Sequence, residues 1–243
     1  MLQFPKKMRL LSAGSLKTIA VVSMLIDHFA YAILYYAVLL PNAPIQRGTD
    51  LYTVYLVYRV MRGIGRTAFP IYCFMLVEGF FYTRSRLKYA RNLAVFGLIS
   101  EIPFDFAFEQ TFLEFSYQNV YFTLLIGLLV IWAWDAAGYK RWYLQILALG
   151  GGMGLAYLLN TDYDYRGVLL IFVFYILRQF RVPQTIGGAV AMYWEMPAVI
   201  PAFLLLPFYS GERGRQPKYF FYAFYPCHLM ILGGIEYLML HLR

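Results

Sequence analysis

The chain has few charged residues. Only 14% of its 243 residues are Asp, Glu, Lys or Arg, whereas soluble domains carry about 25%. Hydrophobic residues make up 61% of the chain, and its mean hydropathy is +0.56. This deficit of charge excludes an ordinary soluble domain and predicts a protein whose main solvent is the hydrocarbon of a lipid bilayer.

Cysteine and histidine are scarce as well, with two cysteines and three histidines. Cys73 and Cys227 both lie in apolar runs, which favours buried small side chains. No cysteine spacing typical of a metal site occurs, and no metal is expected. The net charge of +8 does not indicate nucleic-acid binding, because the basic residues cluster at the ends of apolar runs, as orientation signals do.

Long apolar runs fill the chain and predict an all-α, polytopic integral membrane helical bundle, with a single transmembrane domain over residues 1–243. A spanning helix needs about 20 mostly apolar residues, which leaves room for eight to nine transmembrane helices with short loops. The first run contains Asp27 and His28 and is too long for a signal-peptide core, so it is interpreted as a retained helix. The predicted spans cover 16–40, 64–83, 92–108, 119–136, 143–160, 167–178, 184–195, 196–209 and 218–240.

One stretch does not fit a simple count of spans. Arg178 and Arg181 precede it and Arg213 follows it, so both of its ends carry charge of the cytoplasmic type. A short broken or re-entrant pair near 184–209, with Glu195 near its tip, would satisfy both clusters, and such helices occur where protein shields the backbone. A single kinked span, which gives eight helices, is the alternative.

The distribution of basic loops predicts the orientation. Loops rich in Lys and Arg alternate with 109–118, which holds Glu109 and Glu114 but no basic residue. By the positive-inside rule the N-terminus lies in the cytoplasm, and the chain is a multi-pass protein of the cell membrane in contact with the lipid bilayer. The long outer connection 41–61 is rich in tyrosine and predicts an interfacial helix in the aromatic belt.

Ionisable residues inside the predicted helices are candidates for function, because a charge at the bilayer centre costs at least about 2.5–3.5 kcal/mol. His28 lies eleven residues after Lys17. His228 lies ten residues after Lys218, so at about 1.5 Å per residue both imidazoles reach mid-membrane. A structural hydrogen bond between helices is the alternative for each histidine. Asp27 and His28 point in different directions, so Asp27 is expected to face another helix.

Arg62 and Arg66 lie one turn apart at the outer end of the second predicted span. Like charges at this spacing repel each other, so the pair requires an anionic partner. That partner is either a protein carboxylate, in an outer ion-pair network, or an acidic ligand. The candidate carboxylates at this depth are Asp105, Asp162, Asp164 and Glu101.

Further polar residues lie within the predicted spans. Glu78 follows an apolar run and precedes the next basic loop by about two turns. Glu101 and Asp105 lie one turn apart beside Pro103, and a proline kink of this kind often borders a cavity. Asn119 begins the fourth span as a polar contact for a neighbouring helix or a substrate.

Basic residues gather at the predicted cytoplasmic ends of the helices. The positive-inside rule accounts for them without further explanation. In the segment 211–215, two glycines alternate with basic residues, and this segment could also wrap a phosphate. The basic rim comprises Lys17, Arg84, Arg86, Lys88, Arg91, Arg213, Arg215 and Lys218.

Several blocks of the sequence are similar to a known family. They are Leu16–Ala20, Leu25–His28, Arg62–Ile71, Val77–Phe80, Ser100–Asp105, Gln118–Thr123, Thr161–Tyr163 and Lys218–Leu229. Together they resemble the TraX family of membrane acetyltransferases, named for a protein that N-acetylates conjugative pilin. More distantly, Lys17 and His28 resemble the basic residue and histidine, with ten residues between them, of the wider transmembrane acyltransferase superfamily. That superfamily usually has Arg where this chain has Lys17.

The resemblance implies an acyl-CoA-dependent acetyltransferase that moves an acetyl group from cytoplasmic acetyl-CoA, as co-substrate, to an amine or hydroxyl at the extracytoplasmic side. The acceptor is an unknown peptide or glycan. His28 would accept the acetyl group or act as a base. The predicted catalytic residues are His28, Asp27, Glu78, Glu101 and His228. Those predicted to bind acetyl-CoA are Lys17, Arg84, Arg213, Arg215 and Lys218, and those predicted to bind the acceptor are Arg62, Arg66, Asp105, Asn119 and Asp162.

Two other functions are compatible with the same residues. A small proton-coupled transporter would use the intramembrane acids as a relay, and the short helices near Pro197 favour it. A non-enzymatic membrane assembly factor would tolerate the loss of both buried histidines.

Overall fold

The computed structural model describes residues 10–215, 217 and 219–242, and within these ranges it contains helices and no strands. The all-α prediction is confirmed. Four described segments are long and apolar enough to cross a bilayer, namely Ala13–Asn42, Asp50–Tyr82, Val120–Ala137 and Phe220–His241. Any larger number of spans is still a prediction. The α helices are α1 (Ala13–Phe29), α2 (Asp50–Gly65), α3 (Ala68–Tyr82), α4 (Arg86–Glu109), α5 (Val120–Ala137), α6 (Trp142–Leu158), α7 (Asp164–Ile176), α8 (Arg181–Ala191), α9 (Ile200–Leu205) and α10 (Phe220–His241).

The first helix begins at Ala13 rather than at residue 16. Ser12 caps it by accepting a hydrogen bond from the backbone N–H of Ser15 at 3.1 Å, because a hydroxyl oxygen satisfies one of the free N–H groups at a helix start. α1 then continues into a π-helical segment, Ala30–Leu39, beyond which the N–H of residue 40 donates to the carbonyl of Tyr35. Extended π segments are rare and often occur near functional sites.

α2 and α3 run antiparallel to the first helix. Tyr58 of α2 stacks on Tyr35 with ring centroids 5.5 Å apart. Gly65 faces Asp27 so closely that a Cβ at position 65 would lie 2.2 Å from the Asp27 Cβ, and glycine is therefore required there. A helix, α2, does begin within the segment 41–61, and its placement at the membrane interface is still a prediction. α2 packs against the π segment, where its Tyr58 finds an aromatic partner.

α4 and α10 pack side by side and run parallel to α1. Phe96 contacts Tyr222 near the start of both helices. Closer to their ends, Gly233 lies against Ala107, where a Cβ at position 233 would approach the Ala107 Cα to 3.0 Å. This arrangement brings the histidine-bearing stretches of α1 and α10 together.

The stretch 184–209 contains two short helices, as predicted, rather than the single kinked span of the alternative. α8 has eleven residues and α9 has six, so neither reaches the length of a full span. Glu195 lies in the turn between them. Three prolines in this stretch explain why a single long helix does not form, since proline lacks the N–H that helix continuation needs.

The bundle has two chemically different ends. We call the basic end the one formed by the start of α1 and by the connections α3–α4 and α9–α10. At this end the backbone of Leu11 pairs with that of Tyr209. The distal end is formed by the connections α4–α5, α6–α7 and α8–α9, where Gln118 pairs with Thr161. The candidate site lies between these ends.

Candidate active site

The two buried histidines meet. Nδ1 of His28 on α1 lies 2.7 Å from Nε2 of His228 on α10, and the two ring planes are parallel, with centroids 4.9 Å apart. The predicted convergence of these imidazoles from two helices is therefore confirmed. The third histidine, His241, lies exposed at the end of α10 and bonds to the carbonyl of Tyr237.

The hydrogen bonds of this pair assign its protons. Nδ1 of His228 lies 2.7 Å from the carbonyl oxygen of Phe224, and a carbonyl can only accept, so this nitrogen donates. Neutral His228 then has its lone pair on Nε2, which accepts from Nδ1–H of His28. Neutral His28 must therefore present a lone pair on Nε2. None of the described residues hydrogen-bonds to that nitrogen.

The partner of Arg62 is Asp27. Its guanidinium lies 2.5 Å from Oδ2 of Asp27 and 4.6 Å from the centroid of the Tyr31 ring. The second oxygen of Asp27, Oδ1, is buried and has no partner among the described residues. Asp27 thus faces another helix, as predicted. Because Asp27 directly precedes His28 in the chain, it also holds Arg62 at the cavity that His28 lines.

The partners of Arg66 are Glu195 and Tyr163. The Nε of Arg66 lies 3.5 Å from Glu195, and its terminal nitrogen donates to the Tyr163 hydroxyl at 3.1 Å. The four carboxylates that the sequence suggested as partners of the arginine pair were the wrong ones. The prediction counted depth along each helix and missed the turn between α8 and α9, which brings Glu195 back to this level.

Asp162 lies in the α6–α7 connection beside this arginine pair. It accepts a hydrogen bond from the Tyr117 hydroxyl at 2.7 Å, and the Thr123 hydroxyl donates to its backbone carbonyl. Burial raises the pKa of the Asp162 carboxyl, while the Tyr117 hydroxyl and the Arg66 charge act in the opposite direction. Asp105 accepts from a backbone N–H of the α4–α5 connection through Oδ2, and its buried Oδ1 has no described partner.

These groups line one cavity of about 250 Å³, which we call the histidine cavity. Of the predicted site residues it is lined by His28, Asp27, Arg62, Arg66, Asp105 and Asp162. It is also lined by tyrosines that the sequence did not single out: Tyr31, Tyr36, Tyr72, Tyr117, Tyr163 and Tyr225. Tyrosine is too frequent in this chain, at 23 residues, for its pattern alone to mark a site.

Glu101 and Asn119 are brought together, but they do not line the histidine cavity. The Asn119 side chain donates to Glu101 and, at 2.9 Å, to the carbonyl of Gly97. Its own oxygen accepts from the backbone N–H of Tyr121 at 3.0 Å and caps α5. Both residues therefore connect α4 to the start of α5.

Glu78 lies away from the histidine pair. It accepts from Nε of Arg178 at 3.0 Å, and Arg181 lies 3.9 Å away. Its side chain is 4% exposed and borders a large cavity at the basic end. Glu78, which the sequence grouped with the histidines, is instead the centre of an ion-pair cluster between α3 and the α7–α8 connection.

Two further cavities lie between the basic end and the histidine cavity. The basic cavity, of about 760 Å³, is lined by Lys17, Arg84, Lys88 and Arg213 among others. The middle cavity, of about 110 Å³, shares Lys17 and Arg213 with it. Tyr72 lines both the middle cavity and the histidine cavity. The three cavities thus form a series from the basic end to His28.

The rest of the predicted basic rim is arranged differently. In the segment 211–215, the carbonyls of Glu212 and Arg213 accept from Ala13 and Gly14 at 2.8 and 3.0 Å, because the free N–H groups at the start of α1 need partners. Gly211 and Arg213 of this segment line the basic cavity. Arg215 does not line any of the three cavities. Lys218 lies outside the described residues.

Within the part of the chain that the structure describes, no three His, Cys, Asp or Glu side chains are grouped so as to hold a metal ion.

Comparison with known proteins agrees with the resemblance of the sequence blocks. Residues 12–236 match the TraX protein family. The chain is also 31% identical over 251 residues to the probable fimbrial assembly protein FimC, serogroup H1, of Dichelobacter nodosus, with 91% of this chain and 94% of that protein covered. No solved structure matches the chain. Because the family match includes nearly every described helix, the chain belongs to the TraX family.

Proposed function

We propose that the chain is a membrane-embedded acetyltransferase that moves an acetyl group from acetyl-CoA to an amine or hydroxyl acceptor. The observation that carries this proposal is the histidine pair. His28 lines a cavity, its Nδ1–H donates to His228, and its Nε2 lone pair has no hydrogen-bond partner among the described residues. The association of the TraX family with pilin acetylation supports the same reaction.

His28 has two ways to use its free nitrogen. As a base, Nε2 takes the proton of the acceptor while the acceptor attacks the thioester carbonyl carbon, the C–S bond breaks and the leaving thiolate receives that proton. As an acetyl carrier, Nε2 itself attacks the carbon, the thiolate leaves, and the acceptor then takes the acetyl group and gives its proton to the sulfur. Both routes end in acetylated acceptor and coenzyme A.

His228 serves either route. When Nε2 of His28 gains a proton or an acetyl group, the ring becomes cationic. Its Nδ1 proton can then move along the hydrogen bond to Nε2 of His228, which lies 2.7 Å from Nδ1 of His28 and already accepts that bond. The charge is shared between two rings, which lowers its cost in a site of low dielectric. His228 is thus a proton acceptor for His28 and also fixes its orientation.

The series of cavities supplies a path for the donor. The anionic nucleotide end of acetyl-CoA would bind Lys17, Arg84 and Arg213 at the basic end, since basic side chains bind phosphate by charge-assisted hydrogen bonds. Its thin pantetheine arm would pass through the middle cavity toward His28. On this proposal the basic end faces the cytoplasm, with the N-terminus on that side, and the acceptor approaches from the distal end.

The decisive test removes one imidazole at a time. Purified protein in lipid vesicles is given acetyl-CoA and hydroxylamine, a small nucleophile that yields acetohydroxamate whatever the natural acceptor is. Because hydroxylamine also attacks thioesters in solution, we expect His28→Ala to reduce product formation to the rate measured without protein. His241→Ala, the matched control at the exposed histidine, should leave product formation unchanged. A folded His28→Ala protein with wild-type activity would refute the proposal.

The two routes can be separated without an acceptor. If His28 carries the acetyl group, the protein exchanges labelled coenzyme A into acetyl-CoA in the absence of any nucleophile. If His28 acts only as a base, this exchange does not occur although acetohydroxamate still forms.

A second candidate function is that of a non-enzymatic assembly factor. The similarity to a probable fimbrial assembly protein of Dichelobacter nodosus favours it. An assembly factor needs surfaces rather than a reactive nitrogen. It would support fimbriation equally well with both His28 and His228 replaced by Ala, whereas the acetyltransferase would fail the hydroxylamine assay with either change.

A further inference from the structure

Tyr72 occupies the junction between the donor path and the histidine cavity. It lies on α3, one side of which lines the middle cavity together with Lys17, while Tyr72 itself also lines the cavity that contains His28. A group that passes from the basic end to His28 through these cavities must therefore pass the Tyr72 side chain.

The Tyr72 hydroxyl lacks a hydrogen bond. Its oxygen is buried and has no partner among the described residues. Burying a hydroxyl without a partner lowers stability, and nearly all buried hydroxyls in folded proteins have a hydrogen-bond partner. Tyr121, on the other side of the middle cavity, shows the usual arrangement, because its hydroxyl donates to the carbonyl of Tyr222 at 3.1 Å. The Tyr72 hydroxyl is thus an unpaired donor on a side chain that lines the cavity of His28.

We propose that the Tyr72 hydroxyl donates a hydrogen bond to the carbonyl oxygen of the thioester as the acetyl group reaches His28, which makes Tyr72 a catalytic residue of the transfer. This inference rests on the proposed acetyltransferase function. When a nucleophile attacks the carbonyl carbon, the electron pair of the C=O bond moves onto this oxygen. It returns to re-form the carbonyl when the C–S bond breaks and the thiolate leaves. Tyr72 keeps its proton throughout and stabilises the oxygen while it is negative.

A simple plug is the competing role for Tyr72. An aromatic ring between two cavities could separate them by its size alone, and in that role the hydroxyl would contribute nothing to the rate. The two roles differ in Tyr72→Phe, which keeps the ring and removes only the donor. The matched control is Tyr143→Phe, because Tyr143 is exposed and lines none of the three cavities.

The experiment measures acetohydroxamate formation from acetyl-CoA and hydroxylamine by wild-type, Tyr72→Phe and Tyr143→Phe protein in vesicles. Loss of one donor to a developing oxyanion lowers kcat by about 100- to 1000-fold. We expect a fall of this size for Tyr72→Phe with KM for acetyl-CoA and binding of coenzyme A unchanged, and wild-type kinetics for Tyr143→Phe. The melting temperature of Tyr72→Phe should equal or exceed that of wild type, since the variant no longer buries an unpaired hydroxyl.

Each outcome decides the proposal. Wild-type kcat in Tyr72→Phe overturns it and leaves the acetyltransferase function intact. A lower melting temperature or a misfolded Tyr72→Phe protein also overturns it, because the hydroxyl would then have a structural partner. No turnover by wild-type protein overturns both proposals together. A lower kcat with unchanged coenzyme A binding and undiminished stability supports the oxyanion role.

Discussion

Two buried carboxylates of this chain each face arginines from another helix, and they differ in how completely they are paired. Glu78 bonds Arg178 through both of its oxygens, at 3.0 and 3.4 Å, and Arg181 lies 3.9 Å away. Asp27 bonds Arg62 through one oxygen at 2.5 Å, and its other oxygen has no described partner. Only Asp27 lines the histidine cavity.

Aromatic stacking is common to both sites and does not explain the difference. Arg178 lies 4.1 Å from the Phe81 ring centroid, and Arg62 lies 4.6 Å from that of Tyr31. The contrast is in the unpaired oxygen of Asp27, which belongs to a residue that lines the histidine cavity. Complete pairing secures the packing of helices, whereas incomplete pairing beside a cavity leaves capacity to bind and to react.

Replacing Glu78 tests the structural side of this comparison and has the largest expected effect. In Glu78→Gln, Arg178 and Arg181 remain partly buried without an anionic partner, and breaking a buried pair from one side costs about 3–5 kcal/mol. We expect the free energy of unfolding, from denaturant titration in detergent, to fall by that amount. The matched control Glu212→Gln, at an exposed glutamate, should not change it. A fully stable Glu78→Gln protein would break the comparison.

Replacing Asp27 tests the functional side. Asp27→Asn keeps the side-chain shape but removes the charge that holds Arg62 beside His28. Small displacements of catalytic groups cost up to about 100-fold in rate, so we expect acetohydroxamate formation to fall about 10- to 100-fold. Unfolding free energy should change less than in Glu78→Gln. The exposed Asp50→Asn serves as control. Unaltered activity in Asp27→Asn would show that the two carboxylates have equivalent, structural roles.

Replacing Asn119 tests the same distinction between structural and functional residues, with a smaller expected effect. It caps α5 and is fully buried, so Asn119→Ala should lower the free energy of unfolding by about 1–2 kcal/mol. Asn119→Ser keeps a capping oxygen and should recover most of this loss. In the hydroxylamine assay kcat should not change for either variant. If kcat fell while stability did not, Asn119 would contact the acceptor, as the sequence suggested.

Arg86 and Asp135 form an exposed ion pair at the basic end, and replacing it has the smallest expected effect on the free energy of unfolding. Their atoms lie 2.7 Å apart, but each side chain is about a third exposed. Exposed pairs contribute about 0–1 kcal/mol, so Arg86→Gln should change the unfolding free energy by no more than that. Repeating the titration at high salt, which screens exposed charges, should remove the difference. An effect as large as that of Glu78→Gln would mean that burial does not determine how much each ion pair contributes to the unfolding free energy.

Depth along the helices could be predicted from the sequence. Counting residues from Lys17 and Lys218 placed His28 and His228 at one level, and they are hydrogen-bonded. The all-α class and the short pair around Glu195 were also predicted correctly. These predictions succeed because apolar runs and basic loops report position along the membrane normal, which depends on rise per residue alone.

Direction around each helix could not be predicted in the same way. Glu78 lies inside a predicted span, as Asp27 does, yet it pairs with Arg178 near the basic end rather than with the histidines. Glu195 pairs with Arg66 because a turn between two short helices returns it to that level. Which face of a helix meets which neighbour depends on packing of the whole bundle, and no local pattern in a single sequence encodes it.

The π-helical segment Ala30–Leu39 has a consequence for the width of the histidine cavity. In this winding Tyr31 contacts both Tyr35 and Tyr36, with ring centroids 5.6 and 5.0 Å apart, and Tyr31 and Tyr36 line the histidine cavity. Deleting one residue would tighten the coil toward ordinary α winding and rotate Tyr36 away. Chain length here therefore controls the width of the histidine cavity. On the proposed function, a single insertion or deletion would change which acceptors fit while the imidazoles one turn away stay in place.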